Sequence, residues 1–491
     1  MAIYLILWFI AIPDRYHTYN EVDSELQVIT QTYPAITHLD TIGFSATDSL
    51  PIFALKISDN PNSEEDEPAV LYNGAHHAGE LLGVEICMYM INDLVSKYTI
   101  DSTIKKWIDS TQIWVVPIVN PDGHNIVTSG IDTIWRRNTR DNNNNGQFDI
   151  VDGVDLNRNY DFLWETAGSS DSSSKNYRGP SPFSESETRA IKELTDKENF
   201  VFDICYHSAN VSVSEVVYYP WKWGSNFSPD HFVISGIAKN IAQSIVNEAG
   251  NGTYVFGWGN AESGGMARNW FYGKKGTISF TTEVGESSTP PAEKVDTIAA
   301  RNLPGAYYLL DRVHGSGITG CITDSITDEP LIAEVRILEA YSESLAPRMS
   351  DSAYGRYRRI LTQGKYTVNA IKTGYDTARI DSVEVVDNLP TILNIKLHKL
   401  GIEEAGIKDL GVFQIYPNPV IGKTEIKFFF PIQAFSLKIY DISGREVKMR
   451  IMESQKTDYY SVRLDSKNLK TGIYFVKAKG YKTEKIIKLI D

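Results

Sequence analysis

Apolar and polar positions follow two different periods along residues 15–310. Short apolar runs bounded by turn residues predict strands, and these runs are IFALKI (52–57), AVLYNG (69–74), IWVVPIVN (113–120), VFDICYH (201–207) and ISFTTEVG (278–285). Segments with helical spacing lie at 21–33, 80–98 and 185–196, and Ser184 with Glu187 forms a capping-box pattern before the last of them. Strands that alternate with helices predict an α/β domain with helices on both faces of a sheet.

The pattern changes near residue 314, where helical spacing largely disappears. Short strand-like runs separated by turns predict a small all-β sandwich at 316–399. A linker at 401–411 follows, and then a second all-β domain at 412–491. A chain of 491 residues is long enough for two to four domains, and we expect the α/β domain to occupy 15–313.

The first twelve residues, MAIYLILWFIAI, are strongly apolar but too few to span a bilayer, which needs about 20 residues. They resemble the apolar core of a secretion signal without its basic start, so residues 1–14 are either a truncated signal segment or a buried first strand. We favour the signal. No other stretch resembles a membrane span.

Charge and cysteine content argue against a nucleic-acid-binding protein and against a small protein held together by disulfides. The net charge of −14 argues against a nucleic-acid partner, because phosphate contacts need a surplus of Lys and Arg. Cys87, Cys205 and Cys321 lie far apart and predict no disulfide framework. Cys87 and Cys205 lie in apolar runs, which favours buried thiols. We expect a monomer.

Three residues have the types and positions of a metal site. His77 and Glu80 form an H-x-x-E pair at the start of a predicted helix, where two side chains three positions apart can bind one ion. His207 ends a predicted strand, and functional residues gather at the carboxyl ends of strands in open α/β sheets. Zinc accepts this two-histidine, one-carboxylate set. The alternatives are a capping glutamate beside a surface histidine, and a structural histidine at the strand end.

A fourth residue, Glu283, lies at the end of the apolar run ISFTTEVG. A buried carboxylate is costly unless it is paired or functional, so Glu283 is either a general base or an ordinary strand-end glutamate in water.

Four segments in this order resemble the zinc carboxypeptidase family of the carboxypeptidase A/B and T type. They are GAHHAGELLGVE, VNPDGH with TIWRRN and GVDLNRNYD, the strand that ends in His207, and FTTEVG. The resemblance covers about residues 15–312. It implies an α/β/α sandwich around a mixed eight-stranded sheet, and a secreted enzyme that hydrolyses C-terminal peptide bonds of peptides or proteins.

The resemblance also implies a role for each residue. His77, Glu80 and His207 would be the Zn²⁺ ligands, with Glu283 as general base. Arg136 would stabilise the oxyanion, Asn157 and Arg158 would hold the substrate's terminal carboxylate, and Asp155 would accept a hydrogen bond from a ligand histidine. These residue types suit the roles, because a guanidinium matches an oxyanion or a carboxylate and a carboxylate can move a proton.

Two positions depart from the family pattern. Gly79 stands where the zinc motif commonly has Arg, and Asn260 stands where the family's carboxypeptidases usually have Tyr. Both changes remove substrate contacts and leave the metal, base and oxyanion groups, so we expect activity while strict carboxypeptidase specificity stays open. Trp258 and Tyr254 are two residues that would fill the gap. Arg268, in GMARNW, is either a specificity residue that favours acidic terminal residues or a surface arginine.

Residues 141–152, DNNNNGQFDIVD, have the offsets of a calcium-binding loop. The candidate Ca²⁺ ligands are Asp141, Asn143, Asn145, Asp149 and Asp152. The alternative is a flexible Asn-rich insertion.

The two β regions each resemble a known module. Residues 316–399 resemble the transthyretin-like sandwich that follows many carboxypeptidase domains. YPNP (416–419), YDISGREV (440–447) and LKTGIYFVKA (469–478) resemble the C-terminal sorting domain of type IX secretion cargo in Bacteroidetes. This resemblance implies contact with the secretion machinery, and a secreted or cell-surface location reached through the periplasm.

Three functions are compatible with these patterns. The leading hypothesis is a secreted metallocarboxypeptidase. The others are a peptidase of peptidoglycan stem peptides and a catalytically inactive binding protein with the same fold.

Overall fold

The computed structural model describes most of the chain. The described residues are 12, 14–208, 214–223, 225–260 and 264–400 and, near the C-terminus, 413–416, 418, 423–428, 437–447, 451–455, 460–465, 469–478 and 484–488. The predicted leader at 1–14 therefore lies almost wholly outside the described residues. Among the described helices, none is both long and apolar enough to cross a membrane.

Eight α-helices and nine strands are found among the described residues of the N-terminal α/β region. The helices are α1 (Tyr19–Thr32), α2 (Leu82–Lys97), α3 (Ser102–Ile108), α4 (Pro121–Thr128), α5 (Ser186–Glu198), α6 (His231–Ser244), α7 (Ala267–Trp270) and α8 (Ala292–Arg312). The strands are β1 (Thr37–Phe44), β2 (Pro51–Ile57), β3 (Ala69–Asn73), β4 (Gln112–Val116), β5 (Phe202–Ser208), β6 (Val216–Trp223), β7 (Asn226–Phe227), β8 (Val255–Asn260) and β9 (Ile278–Val284).

These strands form one mixed sheet in the order β1-β2-β4-β3-β5-β9-β6-β7, with β8 paired to β6. The central pairs β4–β3, β3–β5 and β5–β9 are parallel, whereas β1–β2, β2–β4 and β9–β6 are antiparallel. The predicted α/β fold with a mixed sheet is confirmed. The sheet has nine strands instead of the expected eight, and one of the nine is the two-residue strand β7, which is too short to have a hydrophobic pattern of its own.

Burial of the central strands shows where the core lies. Every residue of β3, β4 and β5 is buried. A strand buried on both faces must be covered on both faces, as the near-continuous apolar runs predicted. The core also includes apolar residues of α1, α2, α6 and α8.

Helix starts agree with the sequence to within a few residues, but one predicted cap does not form. α1 begins with a capping box in which Thr18 and Glu21 exchange hydrogen bonds. At α5 the cap residue is Glu185, without a side-chain capping bond, and Ser184 Oγ instead lies 2.6 Å from Glu185 Oε1 and 2.8 Å from Asn159 Nδ2. A tertiary contact therefore replaces the local one.

Residues 317–397 form two small sheets. The strands are β10 (Gly317–Asp324), β11 (Glu334–Ile337), β12 (Arg356–Ile360), β13 (Gly364–Ile371), β14 (Ala378–Val385), β15 (Pro390–Ile392) and β16 (Ile395–Leu397). One sheet has the order β12-β10-β15, with β16 also on β10, and the other has the order β11-β13-β14. The all-β character is as expected, while the transthyretin-like assignment stays a prediction.

The C-terminal region also contains two sheets. Its strands are β17 (Phe413–Tyr416), β18 (Lys423–Phe428), β19 (Leu437–Asp441), β20 (Ile451–Gln455), β21 (Tyr460–Asp465), β22 (Gly472–Ala478) and β23 (Glu484–Lys488). They pair as β17-β18-β21-β20 and β19-β22-β23. Backbone contacts divide the chain into two compact units, of which the second contains 397–491 with two short segments at 324–327 and 371–377.

Candidate active site

Three neighbouring parallel strands bring the predicted site residues to one edge of the sheet. β5 is paired to both β3 and β9, and His207 on β5 is the register partner of Glu283 on β9. Register partners on parallel strands point to the same face, so these side chains are neighbours. His77 and Glu80 follow β3 in a turn that is closed by the Glu80 N–H, which donates to the His77 carbonyl (3.2 Å).

Close backbone packing holds this turn against the next helix. A Cβ on Gly74, just after β3, would lie 2.7 Å from the carbonyl carbon of Gly83 in α2. Any larger residue at position 74 would push the turn away from α2. The H-x-x-E pair thus lies before α2, which begins at Leu82, and not within it.

The donor atoms of His77, Glu80 and His207 converge. His77 Nδ1 lies 2.8 Å from Glu80 Oε1, His207 Nδ1 lies 2.7 Å from Glu80 Oε2, and the two Nδ1 atoms are 3.0 Å apart. One ligand atom from each residue lies within 4.8 Å of the others. The structure therefore brings together the three residues that the sequence proposed as metal ligands.

Asp155 supports this cluster from behind. Its carboxylate lies 3.1 Å from His77 Nε2 and accepts hydrogen bonds from Arg136 Nε (2.9 Å) and the Asn157 N–H (3.0 Å). Burial opposes ionisation of Asp155, but the charges of Arg136 and His77 outweigh it and hold the pKa of this carboxyl well below its usual range. When His77 is neutral, an ionised Asp155 favours the tautomer with the proton on Nε2, and Nδ1 is then available as a metal ligand.

Glu283 has the opposite electrostatic environment. Its side chain is half-buried. Burial raises the pKa of Glu283 to about 7, with a further upward contribution from Glu80, while His207 and Arg136 lower it. A carboxylate with a pKa near neutrality is suited to accept and return a proton.

Arg136 lies between the two acids of the cluster. Its Nη1 is 3.5 Å from Glu80 Oε1, and its Nε donates to Asp155. Its backbone carbonyl accepts from the Ala78 N–H (3.0 Å), which ties this segment to the metal-ligand turn. The guanidinium is thus positioned beside the proposed metal.

Asn157 and Arg158 lie in a single 3₁₀ turn, Leu156–Arg158, whose cap is Asp155. Asn157 Oδ1 accepts from the Ala267 N–H (2.9 Å), which orients its Nδ2 toward His207 Nε2 at 3.2 Å. Arg158 Nη1 donates to the Asn157 carbonyl (2.7 Å), and burial lowers the pKa of Arg158. Asn157 therefore adjoins His207, and Arg158 follows it in the same turn, while their binding of a substrate carboxylate stays a prediction.

Arg268 is buried in α7, with 5% of its surface exposed. Its Nη2 lies 3.7 Å from Met266 Sδ, its guanidinium lies 5.8 Å from the Tyr218 ring centre, and its Nε has no hydrogen-bond partner in the described part of the chain. Burial lowers the pKa of Arg268 to about 10, and the negative charge of Glu283 opposes this change. Arg268 is therefore buried, and the alternative interpretation as a surface arginine is wrong.

The two departures from the family pattern have different structural settings. A Cβ on Gly79 would lie 3.0 Å from the Trp135 carbonyl oxygen, so a side chain there would require the backbone to shift. Asn260 ends β8, and its side chain lies outside the described residues. Trp258 is half exposed on the same strand, while Tyr254 is buried and its hydroxyl accepts from the Gly285 N–H (3.0 Å).

The predicted calcium loop is closed by its own hydrogen bonds. Asp141 accepts from the N–H groups of Asn145 (3.2 Å) and Gly146 (2.8 Å), and these backbone bonds lower its pKa. Asp149 Oδ2 accepts from Asn145 Nδ2 (2.9 Å). Within the described ranges, no three acids of this loop converge as closely as the histidine cluster. Calcium binding stays a prediction.

Sequence reasoning missed a second buried cluster beside the first. Cys205 Sγ lies 3.2 Å from His76 Nδ1 and 3.3 Å from His207 Nε2, and His76 Nε2 lies 2.8 Å from the Tyr160 hydroxyl. Burial raises the pKa of the Cys205 thiol well above its usual value. Burial also lowers the pKa of His76 well below its usual value. The predicted burial of the Cys87 and Cys205 thiols is confirmed. The period-2 spacing of Cys205 and His207 was the available signal.

Comparison with known proteins agrees with this geometry. A sequence model described as "Zinc carboxypeptidase" matches residues 22–305. The chain is 36% identical over 155 residues to a zinc carboxypeptidase of Saccharothrix mutabilis subsp. capreolus, covering 31% of this chain and 34% of that protein. It is 27% identical over 283 residues to carboxypeptidase B of Helicoverpa zea, covering 55% and 63%. The chain thus spans less than two thirds of the length of each of these relatives.

A solved structure and a second sequence model complete the comparison. The crystal structure of carboxypeptidase A from Helicoverpa armigera has a TM-score of 0.53 at 24% identity, covering 60% of this chain and 72% of that one, which supports the fold. A model described as "Secretion system C-terminal sorting domain" matches residues 414–490. This match indicates export by type IX secretion, to the cell surface or beyond.

Proposed function

The chain belongs to the zinc carboxypeptidase family, and we propose that it is a secreted metallocarboxypeptidase that removes C-terminal residues from peptides or proteins. The observation that carries the proposal is the convergence of His77 Nδ1, His207 Nδ1 and the Glu80 carboxylate, with Glu283 on the strand adjacent to His207. Sorting-domain export would place this activity outside the cell.

The donor set fits zinc. Two imidazole nitrogens and one carboxylate make three protein ligands, which is the number that catalytic zinc sites use when they leave a position open. The hydrogen bond between His77 Nε2 and Asp155 leaves Nδ1 as the free donor. Bound zinc would supply polarisation of the scissile carbonyl and activation of a water molecule.

The other residues divide the remaining work. Glu283 would take a proton from the attacking water and deliver it to the departing amine, which its pKa of about 7 permits. Arg136, beside Glu80, would stabilise the negative charge that develops on the carbonyl oxygen. Asn157 and Arg158 would bind the terminal carboxylate of the substrate, since Arg presents a planar fork that matches a carboxylate.

Arg268 would select substrates that end in an acidic residue. Arg268 is buried, and its Nε has no hydrogen-bond partner among the described residues, so an anionic group brought by the substrate would stabilise this guanidinium. Peptides that differ only in a terminal Glu, Lys or Phe test this assignment. Arg268→Met should reduce the preference for Glu, whereas a wild-type preference for Phe would refute the role.

Digestion of a peptide library, followed by mass spectrometry, tests the function directly. The wild-type protein should release single residues from free C-termini, and a chelator should stop the release. Peptides with an amidated C-terminus are the matched control and should resist cleavage. Cleavage at internal bonds of the substrate peptides would contradict the proposal. Release of C-terminal residues that a chelator does not affect would also contradict it. A panel of peptidoglycan stem peptides would reveal that narrower substrate class.

Glu283→Gln tests the general base. The amide has nearly the same shape but cannot accept the proton, so kcat should fall by about 10²- to 10⁴-fold. Zinc content and the thermal unfolding midpoint should stay close to wild type. Unchanged turnover in this variant would remove Glu283 from the mechanism.

A further inference from the structure

A line of buried polar side chains extends from His207 away from the cleft. Its members are joined by contacts of 3.3 Å (His207 Nε2 to Cys205 Sγ), 3.2 Å (Cys205 Sγ to His76 Nδ1) and 2.8 Å (His76 Nε2 to the Tyr160 hydroxyl). All four residues are buried, with at most 2% of their surface exposed. We call them the Cys205 chain.

The proposed role of His207 fixes where its proton must be. Nδ1 faces Glu80 and His77 and must offer a lone pair to bind a metal, so the proton of the neutral ring must be on Nε2. Among the residues that the structure describes, two groups lie within hydrogen-bonding distance of that nitrogen. Asn157 Nδ2 is a donor, because Oδ1 of the same amide accepts from Ala267, so it cannot receive this proton. Cys205 Sγ is the acceptor that remains within the described part of the chain.

The hydrogen bonds of the two inner members, Cys205 and His76, can all run in that direction. His207 Nε2–H donates to Cys205 Sγ, the thiol donates to His76 Nδ1, and His76 Nε2–H donates to the Tyr160 oxygen. Each inner member accepts one hydrogen bond and donates one, which is the capacity of a thiol and of a neutral imidazole. The opposite direction would place the proton on His207 Nδ1 and block the metal position.

We propose that Cys205, supported by His76 and Tyr160, is the positioning residue that holds the proton of His207 on Nε2 and thereby keeps Nδ1 available for zinc. This inference rests on the proposed function. It gives the second ligand histidine a neutral thiol partner, where His77 has the carboxylate of Asp155. Groups that orient a metal-bound histidine in this way typically change metal affinity when they are removed.

Zinc affinity of the full-length protein, measured by competition with a chelating dye, tests the role. Cys205→Ala removes the acceptor and should weaken zinc binding by about 10- to 100-fold. Cys205→Ser keeps an atom that accepts and donates, and should stay close to wild type. Cys87→Ala is the matched control, because Cys87 is also fully buried but forms no hydrogen bond to the histidines in the described structure. Its zinc affinity should not change.

Two further measurements are independent of the Cys205 variants' zinc affinity: thermal unfolding of the zinc-free proteins, and the zinc affinity of a variant at Tyr160. Thermal unfolding of the zinc-free proteins separates lost affinity from lost stability. Tyr160→Phe removes only the terminal acceptor and keeps the ring, so it should weaken zinc binding less than Cys205→Ala does. Equal zinc affinities for wild type, Cys205→Ala and Tyr160→Phe would overturn the inference.

Two further outcomes separate this inference from other accounts. His76, Cys205 and His207 also satisfy a three-donor metal geometry. A thiolate-to-metal absorption band in the cobalt-substituted protein, with equal loss of metal in Cys205→Ser and Cys205→Ala, would make Cys205 a direct ligand and refute the hydrogen-bonding role. A wild-type protein without zinc affinity would overturn the proposed function itself. If Cys205→Ala keeps wild-type zinc binding and activity, only the proposed positioning role of Cys205 is overturned.

Discussion

Carboxyl groups close to one another in this cleft have different proton affinities because their surroundings differ. Asp155 is held ionised by Arg136 and His77, whereas burial dominates at Glu283 and raises its pKa to about 7. The first environment suits a permanent hydrogen-bond acceptor and the second suits a group that exchanges protons. Charge placement thus assigns roles that residue type alone does not, because both residues are acids.

The raised pKa of Asp203 predicts that the free energy of unfolding depends on pH, independently of catalysis. It is fully buried on β5, accepts from Asn73 Nδ2 (2.6 Å) and from Ser279, and has a pKa raised to about 8 by burial. The unfolded chain releases this proton near pH 4 while the folded chain keeps it, so this group makes the protein less stable as pH rises from about 4 to about 8.

Asp203→Asn should remove that dependence, because an amide cannot ionise and can still occupy a hydrogen-bonded site. The free energy of unfolding of wild type should fall by a few kcal/mol relative to that of the variant as pH rises from about 4 to about 8. Chemical denaturation at several pH values measures this difference. Parallel stability curves for the two proteins would contradict the raised pKa.

The sequence proposed most of the residues that the fold brings together in this cleft, but it gave no role to Cys205. His77, Glu80, His207 and Glu283 became candidates because each combines a reactive side chain with a strand end or a helix start, and the family resemblance selected them as one set. Cys205 could not be assigned a role, since a thiol in an apolar strand is equally typical of a core. Its contact with His207 depends on ring orientation, which no linear pattern contains.

At the scale of elements, strand register decides whether the site exists. His207 and Glu283 face the same cleft because they are partners across β5 and β9, and a shift of one residue would turn one of them to the opposite face. The apolar runs predicted both strands, but pairing order is a property of the folded sheet. The absent cap at Ser184 has the same cause, because tertiary partners compete with local ones.

The loop at 141–152 predicts a metal-dependent stability distinct from zinc. If calcium binds the folded loop, it should raise the thermal unfolding midpoint, because a ligand that binds only the native state stabilises it. Chelation should lower the midpoint, and calcium but not zinc should restore it. Asp141→Asn should abolish the calcium response and keep zinc content. The absence of any calcium effect would leave the loop as an Asn-rich insertion.

At the scale of the whole molecule, the chain joins a zinc carboxypeptidase region to a secretion sorting region. Residues 22–305 match the zinc carboxypeptidase family and 414–490 match a sorting domain. All proposed catalytic and metal-binding residues lie within the first match. We therefore expect the sorting region to direct location without contributing to catalysis.

Transfer of residues 412–491 to a reporter tests that division. In a bacterium with type IX secretion, a periplasmic reporter that carries this segment should reach the cell surface or the medium. The same reporter without it should stay in the periplasm. Export of both reporters, or retention of both, would contradict a sorting role for the segment.

The central claim is that one zinc ion is shared by His77, Glu80 and His207. Anomalous diffraction at the zinc absorption edge, from crystals of the zinc-loaded protein, locates the ion without reference to activity. We expect a peak between the two Nδ1 atoms and the Glu80 carboxylate. An empty map at that position, or zinc bound only elsewhere in the molecule, would contradict it.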